Sequence, residues 1–369
     1  MKICFITTGD ICQIATMKRA TGMAEPLIRA SHEVAIAALD CANNRERFRL
    51  ECPNAVPLFF NQGNQISEIR QKNKLIKAWK PDMVYVCAFT FRNFPLKTKQ
   101  TKYFVEHSEL RSAIPDNKGA KRYLDMLLEN LSVSLFDGQI CASRYLEKYF
   151  RQKIEKHSLR KPVLYSPYAY NPAIMFAQNP LFDSLKEKYA GKKIILYMGT
   201  LTLNYGFGDI LKAVELLKTD RKDFVLLLMG KEKHKNYVNN FINENDLNGF
   251  VDYPGYVAEN DLSSYFCIAD AFVSPINNTI QDIARCPSKL FMYLPFEKPT
   301  VTCKIGEAKE LFGDKGYYYQ PNNTKQFAEV LNDAIDTATL KYNINVEKHS
   351  WEYRTTEFLN WIKENYNLQ

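Results

Sequence analysis

Apolar residues along the chain fall into short, nearly continuous runs, separated by stretches with helical spacing. Lys2–Thr8, His32–Leu39, Val56–Phe60, Asp82–Ala88, Lys102–Val105, Gly138–Ala142 and Val163–Tyr165 read as strands. Continuous rather than alternating apolar character marks strands covered on both faces. Met17–Ala30, Gln65–Trp79, Ala120–Leu135 and Ser143–Gln152 read as helices between them. A break is expected at Pro26, whose ring removes a backbone donor. The second helix should stop before Pro81. After the proline-punctuated stretch Ser166–Pro172 the pattern restarts. Strands are predicted at Lys193–Met198, Phe224–Met229, Phe250–Tyr253, Ala271–Pro275 and Pro299–Val301. Helices are predicted at Gly208–Leu217, His234–Asn245, Asp261–Ala269, Thr324–Thr337 and Trp351–Glu364. The last carries Trp351, Phe358, Leu359, Trp361 and Ile362 on largely one side. Strands alternating with helices imply parallel sheets covered on both faces, hence an α/β protein. The irregular stretch is the expected linker between domains 1–168 and 169–349.

One stretch carries candidate chemistry. Arg285-Cys286-Pro287-Ser288-Lys289-Leu290-Phe291-Met292-Tyr293-Leu294 follows a predicted strand and precedes another. Pro287 suits a first helical turn. Free N–H groups at Ser288 and Lys289, with the lysine charge, could accept a phosphate. The alternative is a proline-started core helix with an exposed lysine. Gly199 and Gly206 would let backbone approach phosphates, or are plain turn glycines.

At 369 residues and 46% hydrophobic, the chain can build two cores. No apolar segment is long enough to span a membrane, and the N-terminal residues enter a strand pattern, so no secretory leader is expected. Nine scattered cysteines include no Cys-x-x-Cys pair, which argues against zinc and a disulfide framework and for a cytoplasmic protein. The formal charge is +8, and Arg144–Lys161 holds seven Lys/Arg against two Glu. Lys18-Arg19 and the run from Lys118 to Arg122 add smaller clusters. Such runs suit an anionic surface or are solvated helix faces. No known nucleic-acid-binding module appears around them, so nucleic acid is not expected.

Tyr197-Met198-Gly199-Thr200-Leu201 with Tyr205-Gly206, Leu226–Gly230, Asp252–Val257, Ala269–Pro275 and Cys286–Tyr293 together resemble signatures of retaining GT-B-fold glycosyltransferases of family 4. His32-Glu33-Val34 and Asp137–Ser143 are similar to that family's N-terminal half. The resemblance implies two Rossmann-like doubly wound domains facing across a cleft, with the C-terminal helix within 350–369 crossing back onto the first. It implies a sugar moved from a nucleotide donor, UDP or GDP favoured, to a glycan or lipid-linked acceptor in polysaccharide biosynthesis. The enzyme would work without metal or other cofactor, peripherally on the inner face of the plasma membrane, with Arg144–Lys161 meeting anionic lipid.

The pattern also departs from the family. Met292 and Ala284 stand where the family has glutamates, Thr200 where many members have arginine, and Tyr205 where they have lysine. Donor binding then falls to Gly199, Thr200, Gly206, Lys231, Asp282, Arg285, Pro287, Ser288 and Lys289. Asp282 is the carboxylate nearest the missing pair. His107 matches a family histidine that contacts the donor sugar and is the catalytic candidate; the alternative is a histidine packed at a strand end. Glu106, Glu109 and Arg111 are candidates for the acceptor. The departures keep two other readings open: a catalytically inactive homologue serving as a scaffold subunit, and a nucleotide-sugar epimerase.

Overall fold

The computed structural model describes residues 1–12, 14, 17–175, 181–233 and 236–366. The chain divides into two compact units: Met1–Ala169 with Ala284–Cys286 and Glu347–Gln369, and Tyr170–Ile283 with Pro287–Val346.

The first unit is built on seven strands: β1 (Lys2–Ile6), β2 (Glu33–Leu39), β3 (Val56–Phe60), β4 (Met83–Val86), β5 (Lys102–His107), β6 (Gly138–Cys141) and β7 (Val163–Tyr165). Their order is β3-β2-β1-β4-β5-β6-β7, and each pairing is parallel. Alternate residues serve opposite layers. Ile3, Phe5 and Tyr85 join Met17, Met23, Leu27, Trp351 and Phe358 in one core. Cys4, Ile6 and Val84 join Ile76, Leu128 and Phe136 in the other. The C-terminal helix Trp351–Asn365 packs on the helix Met17–Arg29. Gly22 permits this, since a Cβ there would overlap the Trp351 indole.

The helix Met17–Arg29 runs unbroken through Pro26, contrary to the expected break. An interior proline costs roughly 3 kcal/mol. Met17, Met23 and Leu27 are fully buried on that helix, and each large apolar side chain contributes about 1.5–3 kcal/mol. Tertiary packing therefore wins. The helix Ala42–Glu51 has no counterpart in the sequence reading, being polar with Phe48 as its buried apolar anchor.

The basic run Arg144–Lys161 is partly occupied by internal partners. Its helix, Arg144–Lys156, buries Leu146, Phe150 and Ile154. Arg144 and Arg151 pair with Glu147, Lys153 reaches Asn130, and Lys161 donates to the carbonyls of Ser134 and Phe136.

The second unit holds β8 (Lys193–Met198), β9 (Phe224–Met229), β10 (Val251–Gly255), β11 (Ala271–Ser274), β12 (Thr300–Thr302) and β13 (Tyr317–Tyr318), in the order β10-β9-β8-β11-β12-β13. All pairings are parallel. Leu196, Leu227, Phe266, Phe272 and Tyr293 form its core. Tyr293 stacks on Phe272 with centroids 4.1 Å apart. The helix expected from His234 is described from Tyr237 to Glu244; its first expected residues, 234–235, lie outside the described residues. In both sheets the strand order reverses direction at the first strand, beside β4 and beside β11. In such sheets ligands bind at the carboxyl ends of the strands flanking this reversal.

Candidate functional site

In the second unit, strand ends meet at that reversal. The Gly199 N–H, just after β8, donates to the Met229 carbonyl at 2.9 Å, and the Gly230 N–H, just after β9, donates to the Gly255 carbonyl at 2.7 Å. Their φ angles are +150° and +142°. A Cβ on Gly230 would overlap the Gly199 carbonyl, so the two strand ends pass this closely only with glycine. Gly206, at φ +74°, precedes the helix Phe207–Asp220. A Cβ there would lie 2.9 Å from the Pro275 Cβ, so the loop after β8 touches the loop after β11.

Lys289 enters this place from the helix Ser288–Tyr293. Its Nζ lies 3.7 Å from the Tyr197 ring centroid and 2.9 Å from where a Gly199 Cβ would stand. An ammonium held on an aromatic face beside bare backbone offers a positioned positive charge. Lys231, exposed after Gly230, sits 5.4 Å from the Tyr256 ring centroid. Thr200 is exposed, and its carbonyl accepts from the Tyr197 hydroxyl at 3.3 Å. Pro287 caps the helix rather than beginning it, and Ser288 is its first residue.

Asp282 does not stand in for the missing carboxylates. It is 1% exposed, and its Oδ2 accepts the Asn277 N–H at 2.7 Å, committing it to the turn before its own helix. Met292 and Ala284 are likewise buried, each in an apolar cluster. Arg285 belongs to the first unit, unlike Ser288 and Lys289.

In the first unit, His107 ends β5. It stacks on Phe150 with centroids 3.6 Å apart and rings 18° from parallel. Its Nε2 is 2.8 Å from Gln139 Oε1. The Gln139 amide nitrogen donates to the Ser132 carbonyl, so the amide oxygen faces the imidazole. That assigns the proton to Nε2 and leaves Nδ1 an acceptor. Burial pushes the His107 pKa down to about 4, so the ring is neutral near pH 7. It lines a cavity of about 40 Å³ with Glu106, Ser108, Glu109 and Arg111.

Glu106, expected at the acceptor, is the inner half of a buried ion pair. Its Oε2 lies 2.8 Å from Arg19 Nε, with both side chains 1% exposed. Arg19 also donates to Ser166 Oγ at 2.9 Å and to the Ser166 carbonyl at 2.7 Å. Desolvation raises the Glu106 pKa while the Arg19 charge opposes that rise. Glu109 and Arg111 remain half-exposed. Arg111 Nε donates to Asp125 Oδ1 at 3.1 Å, and burial raises the Glu109 pKa against the charges of Arg111 and Arg285. Sequence reasoning missed Tyr197, Gln139 and Arg19, whose importance lies in partners distant along the chain.

Residues 181–348 match the family model of glycosyl transferases group 1. That stretch contains β8 to β13 and the Gly199–Lys289 site. The chain is 25% identical over 186 residues to the O-antigen chain mannosyltransferase B of Escherichia coli, and it spans about half (48%) of that relative's length as well as 48% of its own. Among solved structures it resembles Anabaena HepE in complex with UDP and glucose, with a TM-score of 0.68 and 14% identity, covering 99% of this chain and 96% of that one. It also resembles sucrose-phosphate synthase from Thermosynechococcus elongatus, with a TM-score of 0.72 and 12% identity over 99% and 98% of the chains. A mutant of S. aureus TarM, in complex with Fondaparinux, alpha-GlcNAc-glycerol and UDP, gives 0.74 and 10% over 98% and 99%. At these identities the likeness is one of fold: two parallel-sheet α/β domains with GT-B neighbours. The group 1 match covers less than half of the chain, and the neighbours share its fold.

Proposed function

We propose that the chain is a retaining glycosyltransferase of family 4. It would transfer a hexose from a nucleotide sugar to a glycan or lipid-linked acceptor in cell-surface polysaccharide biosynthesis. The observation that carries this reading is the Lys289 ammonium held against Gly199 and Tyr197 at the carboxyl end of β8, inside the group 1 region. A departing diphosphate is stabilised best by positive charge already in place, and Lys289 supplies it, with Lys231 as a second cation. Gly199 leaves the backbone beside the Lys289 ammonium bare, and Gly206 lets its loop close on Pro275. His107, neutral, offers a hydrogen bond to a sugar hydroxyl rather than a charge to a phosphate. The HepE complex with UDP and glucose and the name of the E. coli relative favour UDP or GDP sugars and a glycan acceptor. The reaction is assigned no metal or other cofactor. The protein is placed in the cytoplasm, peripherally on the inner face of the plasma membrane.

A second reading has its own observation. Apolar Met292 and Ala284 are buried where the resemblance calls for glutamates, which suits an inactive scaffold. An epimerase is disfavoured, because Asp282 and Glu106 are both committed to internal partners. The deciding experiment is a panel of UDP and GDP sugars, read by thermal shift and by nucleotide released with and without acceptor glycans. Stabilisation by one donor and acceptor-dependent release support the transferase. Stabilisation without release supports the scaffold, and neither effect with any donor overturns both.

A further inference from the structure

The helix Ala120–Leu135 buries Leu128 and Val133 together with its two carboxylates, and still carries a stripe of large apolar side chains on its outer face. Asp125 accepts from Arg111 and Asn117, and Glu129 accepts from Ser112 and Tyr149. Tyr123 (70% exposed), Leu124 (45%), Met126 (42%), Leu127 (64%) and Leu131 (39%) face out. Tyr123, Leu127 and Leu131 follow one another at four-residue spacing, with Leu124 alongside, so they form one stripe. The other exposed large apolar side chains among the described residues are scattered through the chain. An outward apolar stripe of this size marks a surface that binds an apolar partner.

Charge narrows what that partner is. The helix's exposed ionic groups, Lys121 and Arg122, are both cationic, and Lys118 precedes them. Lys153 reaches Asn130 on the same helix. At its far end, Lys97 donates to the Leu135 carbonyl at 2.9 Å while pairing with Asp137 at 3.2 Å, and Lys161 donates to the Ser134 carbonyl at 2.6 Å. An apolar stripe with cations near both ends, and no carboxylate on the exposed face of its own helix, matches the boundary between anionic headgroups and acyl chains.

We propose that the helix Ala120–Leu135 lies in the surface of an anionic lipid bilayer, with Tyr123, Leu124, Leu127 and Leu131 entering the acyl region. This names the contact for the membrane placement proposed above and rests on that placement, but not on catalysis. It moves the contact from the Arg144–Lys161 run to the neighbouring helix.

The test is co-sedimentation of the full chain with phosphatidylglycerol–phosphatidylethanolamine vesicles and with phosphatidylcholine vesicles, across a salt series. Binding should favour the anionic vesicles and weaken as salt rises. Leu127→Glu and the double variant Tyr123→Ser/Leu127→Ser should each lose about tenfold or more in vesicle affinity. Lys148→Ser/Arg151→Ser should lose less. Circular dichroism and melting of the same variants check that these exposed positions leave the fold intact. Equal binding by the stripe variants and the unchanged chain would overturn the proposal. So would a dimer, seen by sedimentation velocity, that Leu127→Glu dissociates, since a second copy would then cover the stripe. Donor thermal shift on the same samples separates the two readings: vesicle binding without any donor response leaves this proposal standing while the transferase reading falls.

Discussion

The Lys289 ammonium stands 3.7 Å from the centre of the Tyr197 ring. The contact joins a residue at the start of a short helix to one near the end of β8, and it aims a cation at the backbone of Gly199. Replacing Lys289 by Met should weaken nucleotide binding by about tenfold or more, the size of a lost charge-assisted contact. Stability should fall by no more than about 2 kcal/mol, the upper range for a cation–π pair between a half-buried lysine and a buried ring. Calorimetric titration with UDP and GDP, beside urea unfolding, reads both. Unchanged nucleotide affinity with lowered stability would reduce Lys289 to a cover for the Tyr197 ring.

Gly230→Ala should be severely destabilising. The new methyl would overlap the Gly199 carbonyl, and φ +142° is a conformation that side chains rarely adopt. The expected loss is on the order of 3 kcal/mol or more, read from the urea midpoint. Gly249→Ala is the matched control. It also has a positive φ, +81°, but nothing within 4 Å of its Cβ, so backbone strain alone would be felt. If both variants lose the same amount, close approach is not why Gly230 is glycine.

The turns at Gly199 and Gly206 and the helix that carries Lys289 were legible in the sequence because a strand followed by a glycine turn, and a proline before a helix, are local patterns. The strands were legible for a similar reason: buried parallel strands such as Phe224–Met229 are apolar throughout. What was hidden depends on partners far along the chain. Glu106 beside His107 looks like a functional carboxylate until the fold sets Arg19 against it. Pro26 looks like a breaker until Met17, Met23 and Leu27 are seen to be buried. The stripe on Ala120–Leu135 was hidden because helical spacing shows that two sides exist, not which one faces out.

The Arg19–Glu106 pair supplies a third prediction. Arg19→Met leaves a carboxylate buried and should cost about 3–5 kcal/mol. Adding Glu106→Gln should restore much of that loss, because no charge then stays buried. A double-mutant cycle by urea unfolding gives the coupling. Glu106→Gln alone should leave acceptor KM near its original value. A large rise in KM with stability intact would return Glu106 to the acceptor site.

His107 supplies the last prediction, and its sign differs from that of a surface histidine. Burial lowers its pKa to about 4, from 6.5 for the free side chain. Between those values the unfolded chain holds a proton on this ring that the folded chain does not. Folding stability is therefore complete above pH 6.5 and falls as pH drops towards 4. The slope is about 1.4 kcal/mol per pH unit for one group, on the order of 3 kcal/mol across the window. His349, also held near 4 by burial beside Arg354 and Lys348, adds a similar slope, so the comparison must be differential. His107→Gln keeps a neutral donor and acceptor but does not titrate. Urea unfolding at pH 7 and pH 5 should show a shallower loss for His107→Gln than for the unchanged chain. If the two slopes match, His107 is not held neutral by the fold. The same variant should lower kcat more than nucleotide affinity, since a neutral ring serves the sugar and not the diphosphate. Under the proposed activity, the kcat profile of the unchanged chain should show no inflection from this ring near pH 6.5. An inflection there that His107→Gln removes would mean that the imidazole titrates while the chain is folded, and the neutral hydrogen-bonding role would fall.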